Sequence, residues 1–418
     1  MMRKRIAALL MGGALAASAT IGFTACAGGG NSNKITLWGP NEQQASLQEM
    51  VDAFLAQNPG FGLTIELGVA GEGDAYAMMS NDPKSGADVF AYANDQIVNL
   101  LSLGALAPLN DNTVTELKNT NTSASVEAGK VGDKYYGYPY AADNGFFMYY
   151  DKSIISEEQA KSLDDVLDAC EKADKYFIYQ FGTGWYVGSF MYGAGGSYEV
   201  IYDGVTVEQV NCNFDQTVPG TEYTYGELGG QALIDYYNYN EYVVDGDDKE
   251  ISKYINNDKL GACITGTWNA GLIESYMKEN YAATILPEWK SNLTGETYKW
   301  KSFAGYKLYG VNSFSQHIDE AHKLAAFLSS QEMQEKRFDD SAIGPSNNVV
   351  AAMDKVKNNI AIAAISEQLK AENSVIQTAM PSSYWSEMES FGKAMTTWEG
   401  GDLKARVVAL VAALKANG

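Results

Sequence analysis

The segments between residues 35 and 103 alternate between the hydrophobic periods of strand and helix, and this alternation restricts the fold more than any other feature. Ile35–Trp38 is a short apolar strand ended by Gly39-Pro40-Asn41. From Gln43 to Ala56, Leu47, Met50, Val51, Phe54 and Leu55 recur at the spacing of a helix with one buried face, and Asn58-Pro59-Gly60 stops it. Leu63–Leu67 and Ala87–Ala91 read as further strands, and Asp95–Leu103 as a short helix closed by Gly104. Parallel neighbours need a crossover, so this order predicts a layered α/β lobe with a largely parallel sheet.

Gly129–Tyr140 breaks the pattern, with a hairpin turn predicted at Lys130-Val131-Gly132-Asp133-Lys134. A second core follows. Phe146–Tyr150 is a continuous apolar strand, and Ser162-Leu163-Asp164-Asp165 opens a helix with acids in its first turn, where free amides favour them. Phe177–Gln180, a loop and Trp185–Tyr192 enter the same core, Leu260–Thr265 and Tyr281–Leu286 read as strands, and Glu227–Tyr239 and Lys249–Asn257 as helices. Residues 193–225 read as surface loop and hairpin. Residues 303–313 form a strand, Ile318–Ser329 a helix, and after Gly344-Pro345 the chain reads as nearly all helix. No low-complexity linker cuts the chain, so two lobes would have to share more than one crossing.

The N-terminus reads as an export leader. Arg3, Lys4 and Arg5 precede an apolar run from Ile6 to Phe23 and then Cys26 among small residues. Cys26 is expected to carry a lipid after the leader is removed; the alternative is a chance cysteine in an ordinary leader, Phe23 being unusual three places before it. The run is too short and too rich in Gly and Ala for a permanent span. Residues 1–25 would be the leader and 26–34 a flexible tether. About 390 residues then remain, enough for two packed lobes. Their charge is near −25, which repels nucleic acid and acidic lipid and suits a neutral or cationic ligand. Cys170, Cys212 and Cys263 have no metal-site spacing; buried free thiols are expected, with a single Cys170–Cys263 or Cys212–Cys263 bridge as the alternative.

Enzyme readings find little support. His317 and His322, the only histidines, do not share a helical face, and there is no G-x-S-x-G elbow, P-loop or G-x-G-x-x-G fingerprint. Asp245, Asp247 and Asp248 miss the calcium-loop spacing and read as a solvated turn. A distant pair of carboxylates for glycoside cleavage is the least favoured option. No cofactor is implied.

One ordered set of motifs spans the chain from about Lys34 to Leu414. It comprises Ile-Thr-Leu-Trp at 35–38, Gly-Ala-Asp-Val-Phe at 86–90, Gly-Ala-Leu-Ala-Pro-Leu at 104–109 and Tyr-Gly-Tyr-Pro-Tyr at 136–140. Tyr-Tyr-Asp-Lys-Ser at 149–153, Gly-Thr-Trp at 266–268, Ile-Leu-Pro at 285–287 and Phe-Ala-Gly at 303–305 complete it. In this order they resemble the extracellular sugar-binding proteins of bacterial ABC importers, the maltose and maltodextrin binders in particular. The resemblance implies a two-lobed, periplasmic-binding-protein-like α/β fold, each lobe built on a central sheet, with three hinge crossings near 139–144, 286–290 and 342–346. The N-terminal lobe would comprise 35–141 and 290–343, and the C-terminal lobe 142–289 and 344–418. Pro139, Pro287 and Gly344-Pro345 stand at the crossings, as suits hinge closure around a ligand.

Carried over by the resemblance, Glu42, Gln43, Asp95, Asp143 and Asn144 would bond sugar hydroxyls. Tyr92, Trp185, Trp268 and Trp385 would provide ring faces. Gln43 and Gln96 replace basic residues of the family pattern, Thr183 replaces a glutamate, and Glu389 an arginine, which implies a hydroxyl network different from that of the family pattern. The implied partners are a maltooligosaccharide, ABC permease subunits and the membrane through the lipid anchor, for a monomer outside the cell. The alternatives are another neutral oligosaccharide, or a surface polysaccharide adhesin not coupled to import.

The residues support this independently. A pyranose has an apolar C–H face and a hydroxyl rim, which call for flat aromatic surface with carboxylates and amides at its edge. Gly184-Trp185-Tyr186 and Gly266-Thr267-Trp268-Asn269 are the clearest candidates. Each of these rings has the alternative reading of an ordinary core residue, and Trp38 reads as core. Asp95 could instead cap its helix, and Glu42 could be only a first-turn acid.

Overall fold

The computed structural model describes residues 33–416; the leader, Cys26 and most of the tether lie outside the described residues. In the first sheet the order is Ser374–Ile376, Ser302–Val311, Val89–Ala93, Lys34–Gly39 and Thr64–Val69, and Tyr138–Asn144 also pairs with Ser302–Val311. Lys34–Gly39 runs parallel to both neighbours, with Ile35 opposite Ile65 and Leu37 opposite Val89. The helix Gln44–Gln57 buries Leu47, Met50, Val51 and Phe54 against Ile35 and Leu37, the face its spacing predicts. Ser302–Val311 is antiparallel to Val89–Ala93 and to Tyr138–Asn144, so the sheet is mixed rather than largely parallel.

The second sheet has the order Val243–Asp245, Tyr176–Tyr179, Leu260–Thr265, Phe147–Asp151 and Tyr281–Thr284. The first three are parallel, and Phe147–Asp151 is antiparallel to both its neighbours. Helices cover both faces: Val166, Leu167, Leu228 and Leu233 on one, Ile251, Ile273, Ala361 and Ile365 on the other. That double burial explains why Leu260–Thr265 reads as an unbroken apolar run. Cys170, Cys212 and Cys263 are all buried and free, as expected. Trp38 packs, half-buried, against a smaller core around Phe90 and Tyr92.

The connections between sheets revise two boundaries. The first crossing follows Asn144, where Gly145-Phe146 leads into the second sheet. The second does not fall at 286–290. Residues 289–298 form a small hairpin, and in the second sheet's core Trp300 stacks on Phe190 while Trp289 meets it edge-on. The chain therefore joins the first sheet only from Ser302. After Ile343, still packed on the first core, Val350 and Val356 lie in the second. Within the stretch assigned wholly to the C-terminal lobe, Ser374–Ile376 returns to the edge of the first sheet. A three-residue strand carries too little periodic signal to be told from the surrounding helices.

Candidate binding cleft

Parallel strands deliver their C-terminal ends, and the turns that follow, to one edge of a sheet. In the first sheet three such turns are tight single-turn helices: Asn41–Gln43, Glu72–Asp74 and Asn94–Gln96. Each brings acid to the edge: Glu42, then Glu72 with Asp74, then Asp95. In the second sheet the parallel strands lead to Thr183-Gly184-Trp185, Asp248 and Trp268. All of these residues line one cleft of about 710 Å³, joined by Asn144, Lys307, Gln377, Trp385 and Glu389.

The tryptophans form two groups. Trp185 and Trp268 have centroids 6.0 Å apart at 42°, and Phe146 backs Trp185 edge-on at 5.0 Å. Trp385 rests on Phe303 at 5.6 Å. All three are half-buried, so each is seated on the protein yet retains free surface. Two glycines make this possible. A Cβ at Gly266 would run into the Trp268 ring, and one at Gly184 into the Trp385 backbone.

Hydrogen bonds between turns hold the polar groups in place. Gln96 accepts from the Tyr76 amide at 2.8 Å and donates to the Glu72 carbonyl at 3.2 Å, fixing one acidic turn to the next. Asn269 donates to Asp248 at 2.6 Å, tying that acid to the Trp268 turn. Asn144 donates to Gln377 Oε1 at 3.0 Å.

Asp95 is buried, with Oδ1 lacking a hydrogen-bond partner. Burial pushes its pKa up to about 7, against the opposing pull of its backbone amide and the Trp385 side chain. An unfolded aspartate titrates near about 3.9. The folded state therefore binds the extra proton between these values, and its stability falls as pH rises from about 4 to about 7. Asp95→Asn is expected to remove that slope. In urea melts its stability relative to the parent should be higher at pH 8 than at pH 5; a difference independent of pH would refute the shift.

Glu42 is also held above the usual carboxylate range by burial, aided by Glu72 and Asp248. Lys307 lies in the same field. Burial works against its ammonium, but Asp143, Glu72 and Glu42 more than offset this and raise its pKa. Its Nζ is 3.3 Å from Asp143 Oδ1, within ion-pair range though off the hydrogen-bonding direction, and 5.6 Å from the Trp268 centroid.

Of the residues the sequence nominated, Glu42, Asp95, Asn144, Trp185, Trp268 and Trp385 meet in this cleft. Gln43, Tyr92 and Asp143 do not line it. Gln43 is buried beneath its turn. Tyr92 is fully buried between Phe90 and Leu308, so it presents no free ring face, and burial drives its hydroxyl pKa far upward. Asp143 turns inward, its Oδ2 accepting from Thr267 Oγ1 at 2.6 Å and from the Gly344 amide at 2.7 Å. Asp95 does not cap the following helix, whose N-cap is Gln96.

Sequence reading missed Glu72, Asp74, Asp248 and Lys307. The first three follow parallel strands just as Glu42 and Asp95 do, which is a usable signal, although Asp248 reads in the sequence as part of a solvated turn. Lys307 is the lone charge inside an apolar strand. Gln377 carried no signal.

A family model described as bacterial extracellular solute-binding protein matches residues 49–364. A galactooligosaccharide-binding protein of Bacillus subtilis (strain 168) is 23% identical over 384 residues, 87% of this chain and 85% of its own length. A solved structure with acarbose superposes with a TM-score of 0.78 at 26% identity, covering 92% of this chain and 99% of its own. The maltose/maltodextrin-binding domain of Bdellovibrio bacteriovorus bound to maltotriose gives 0.76 at 17% identity, covering 91% and 98%.

Proposed function

We propose that this chain, which belongs to the bacterial extracellular solute-binding proteins, captures α-glucan oligosaccharides of the maltodextrin type and presents them to an ABC permease. It is a binding protein and not an enzyme. The observation that carries the reading is the meeting of Trp185, Trp268 and Trp385 with Asp95, Glu42 and Asn144 in one cleft fed by both sheets. Half-buried rings offer flat apolar faces to the C–H side of a pyranose at low entropy cost. Carboxylates and amides held at their edges take the hydroxyl rim, and charge-assisted bonds penalise analogues that lack a hydroxyl. The crossing at Asn144 and the passage from Trp300 to Ser302 supply places where the lobes can close around the ligand.

A second neutral oligosaccharide class is favoured by the galactooligosaccharide-binding relative and by Gln96 and Thr183 in the cleft lining, which stand where the maltodextrin pattern has charged residues. Calorimetry against maltotriose, cyclodextrin, galacto- and xylo-oligosaccharides and free amino acids separates the two. Maltotriose is expected to bind with a micromolar dissociation constant, about 8 kcal/mol. Heat with galacto-oligosaccharide alone would replace the glucan assignment.

We further place the mature chain on the outer face of the cell membrane, held by a lipid on Cys26, as its leader suggests. Fractionation of cells producing the Cys26→Ser chain tests this. The protein should move from the membrane to the soluble fraction, and retention would reject the anchor.

A further inference from the structure

Among the described residues the cleft is lined by Glu42, Glu72, Asp74, Asp95, Asp248 and Glu389 but by a single cationic side chain, Lys307. Lys307 is already paired with Asp143, which lies outside the lining, and Glu389 is paired with Lys393 one turn along its own helix. The remaining acids come from both walls. Glu42, Glu72, Asp74 and Asp95 follow first-sheet strands, whereas Asp248 follows a second-sheet strand. Drawing the walls together around a neutral ligand would bring these charges closer with only Lys307, already shared with Asp143, to offset them. Glu42 already feels repulsion from Glu72 and Asp248, offset in part by Lys307.

One acid in particular is left with an unmet acceptor. Asp95 is 4% exposed, and its Oδ1 lacks a hydrogen-bond partner although it borders the cleft. Leaving a buried carboxylate oxygen unsatisfied is costly, so a donor that reached Oδ1 as the cleft closed would relieve that cost. The Trp385 ring beside it adds an aromatic face, which attracts cations as well as sugar C–H groups. Among the described residues no group of His, Cys, Asp and Glu side chains is placed to hold a metal ion, so a divalent cation is a poor match.

We propose that the cleft prefers an oligosaccharide carrying a protonated amine, with the ammonium donating to Asp95 beside Trp385 and the other acids supplying the attracting field. This rests on the reading of the cleft as a saccharide site and deepens it. The remaining hydroxyl and ring contacts are those already described. A glycan bearing carboxylate or phosphate would meet the same field with the wrong sign and be excluded.

The test compares maltotriose with maltotriose in which each primary hydroxyl in turn is replaced by a primary amine, and with a maltotriose phosphate, by calorimetry at low and high salt. At least one amine derivative should bind about fivefold or more tighter than maltotriose at low salt, and the advantage should shrink at high salt. The phosphate should bind more weakly than maltotriose. In Asp95→Asn the ratio of amine to maltotriose affinity should fall toward unity, whatever happens to either affinity alone. Amines that bind no better than maltotriose overturn the proposal while leaving the sugar site standing. An advantage that persists in Asp95→Asn or ignores salt overturns the assignment to Asp95. Absence of binding by maltotriose and all its derivatives removes the reading beneath it.

Discussion

Asp143→Ala is expected to destabilise the protein by about 3–5 kcal/mol, the range found when one partner of a buried ion pair is removed. Asp143 is completely buried and Lys307 nearly so. Truncation leaves the Lys307 ammonium without its nearest counter-charge and leaves the Thr267 hydroxyl and the Gly344 amide without their acceptor. These partners come from distant parts of the chain. Asp143 is the penultimate residue of the strand that leaves the first sheet, Lys307 lies on the strand paired with it, Thr267 follows a second-sheet strand, and Gly344 belongs to the later crossing. The carboxylate therefore joins the segments that must bend if the lobes close. Urea melts would show the loss as a lower midpoint at an unchanged slope. Asp143→Asn retains an oxygen for the Gly344 amide and should lose less. A Asp143→Ala chain within about 1 kcal/mol of the parent would show that Lys307 finds compensation elsewhere, Glu72 and Glu42 being the available carboxylates.

The largest effect on binding is expected from the Trp185→Ala, Trp268→Ala double variant. Each single change should cost more than about 1 kcal/mol of maltotriose affinity, from the ring surface that a sugar would cover. Together they should cost about 2–4 kcal/mol, or about 30- to 1,000-fold in dissociation constant. The two rings are close enough to couple, with centroids 6.0 Å apart, so the pair need not equal the sum of its parts. Trp185 also packs on Phe146 and Tyr186, and its removal opens space in the second core. Cooperative thermal melts of each variant, and a Trp185→Phe chain that keeps part of the packing, separate lost contact from lost fold. An unchanged affinity in the double variant would return both rings to internal packing.

The fold was legible where local pattern and tertiary demand coincide. Leu47, Met50, Val51 and Phe54 mark the buried face of their helix because one face meets a sheet. Leu260–Thr265 announces a doubly covered strand because helices remove both of its faces from water. Where the signal was short or shared it failed. The hairpin at 289–298 displaced a crossing that a proline had suggested, since Pro287 bends the chain whether or not it changes lobe. Ser374–Ile376 is a strand only because an unpaired edge lies beside it.

The cleft divides in the same way. The glycines beside Trp185 and Trp268 were visible in the sequence, and the structure shows why they matter: both stand where backbone and ring approach too closely for a side chain. Tyr92, Gln43 and Asp143 show what a position along the chain leaves open. Tyr92 is one residue from Ala91 and Ala93 on a strand whose faces alternate, and its own face turns into packing with Phe90 and Leu308.

By itself, then, the order of residues determined the strand and helix periods, the turns after each parallel strand, the acidic character and the aromatic supply, because each of these depends on neighbours within a few positions. Only the tertiary structure decided which of those side chains face the cleft and which satisfy one another inside. Whether Asp143 meets a ligand or Lys307, Thr267 and Gly344 depends on groups more than a hundred residues away, which no local pattern encodes.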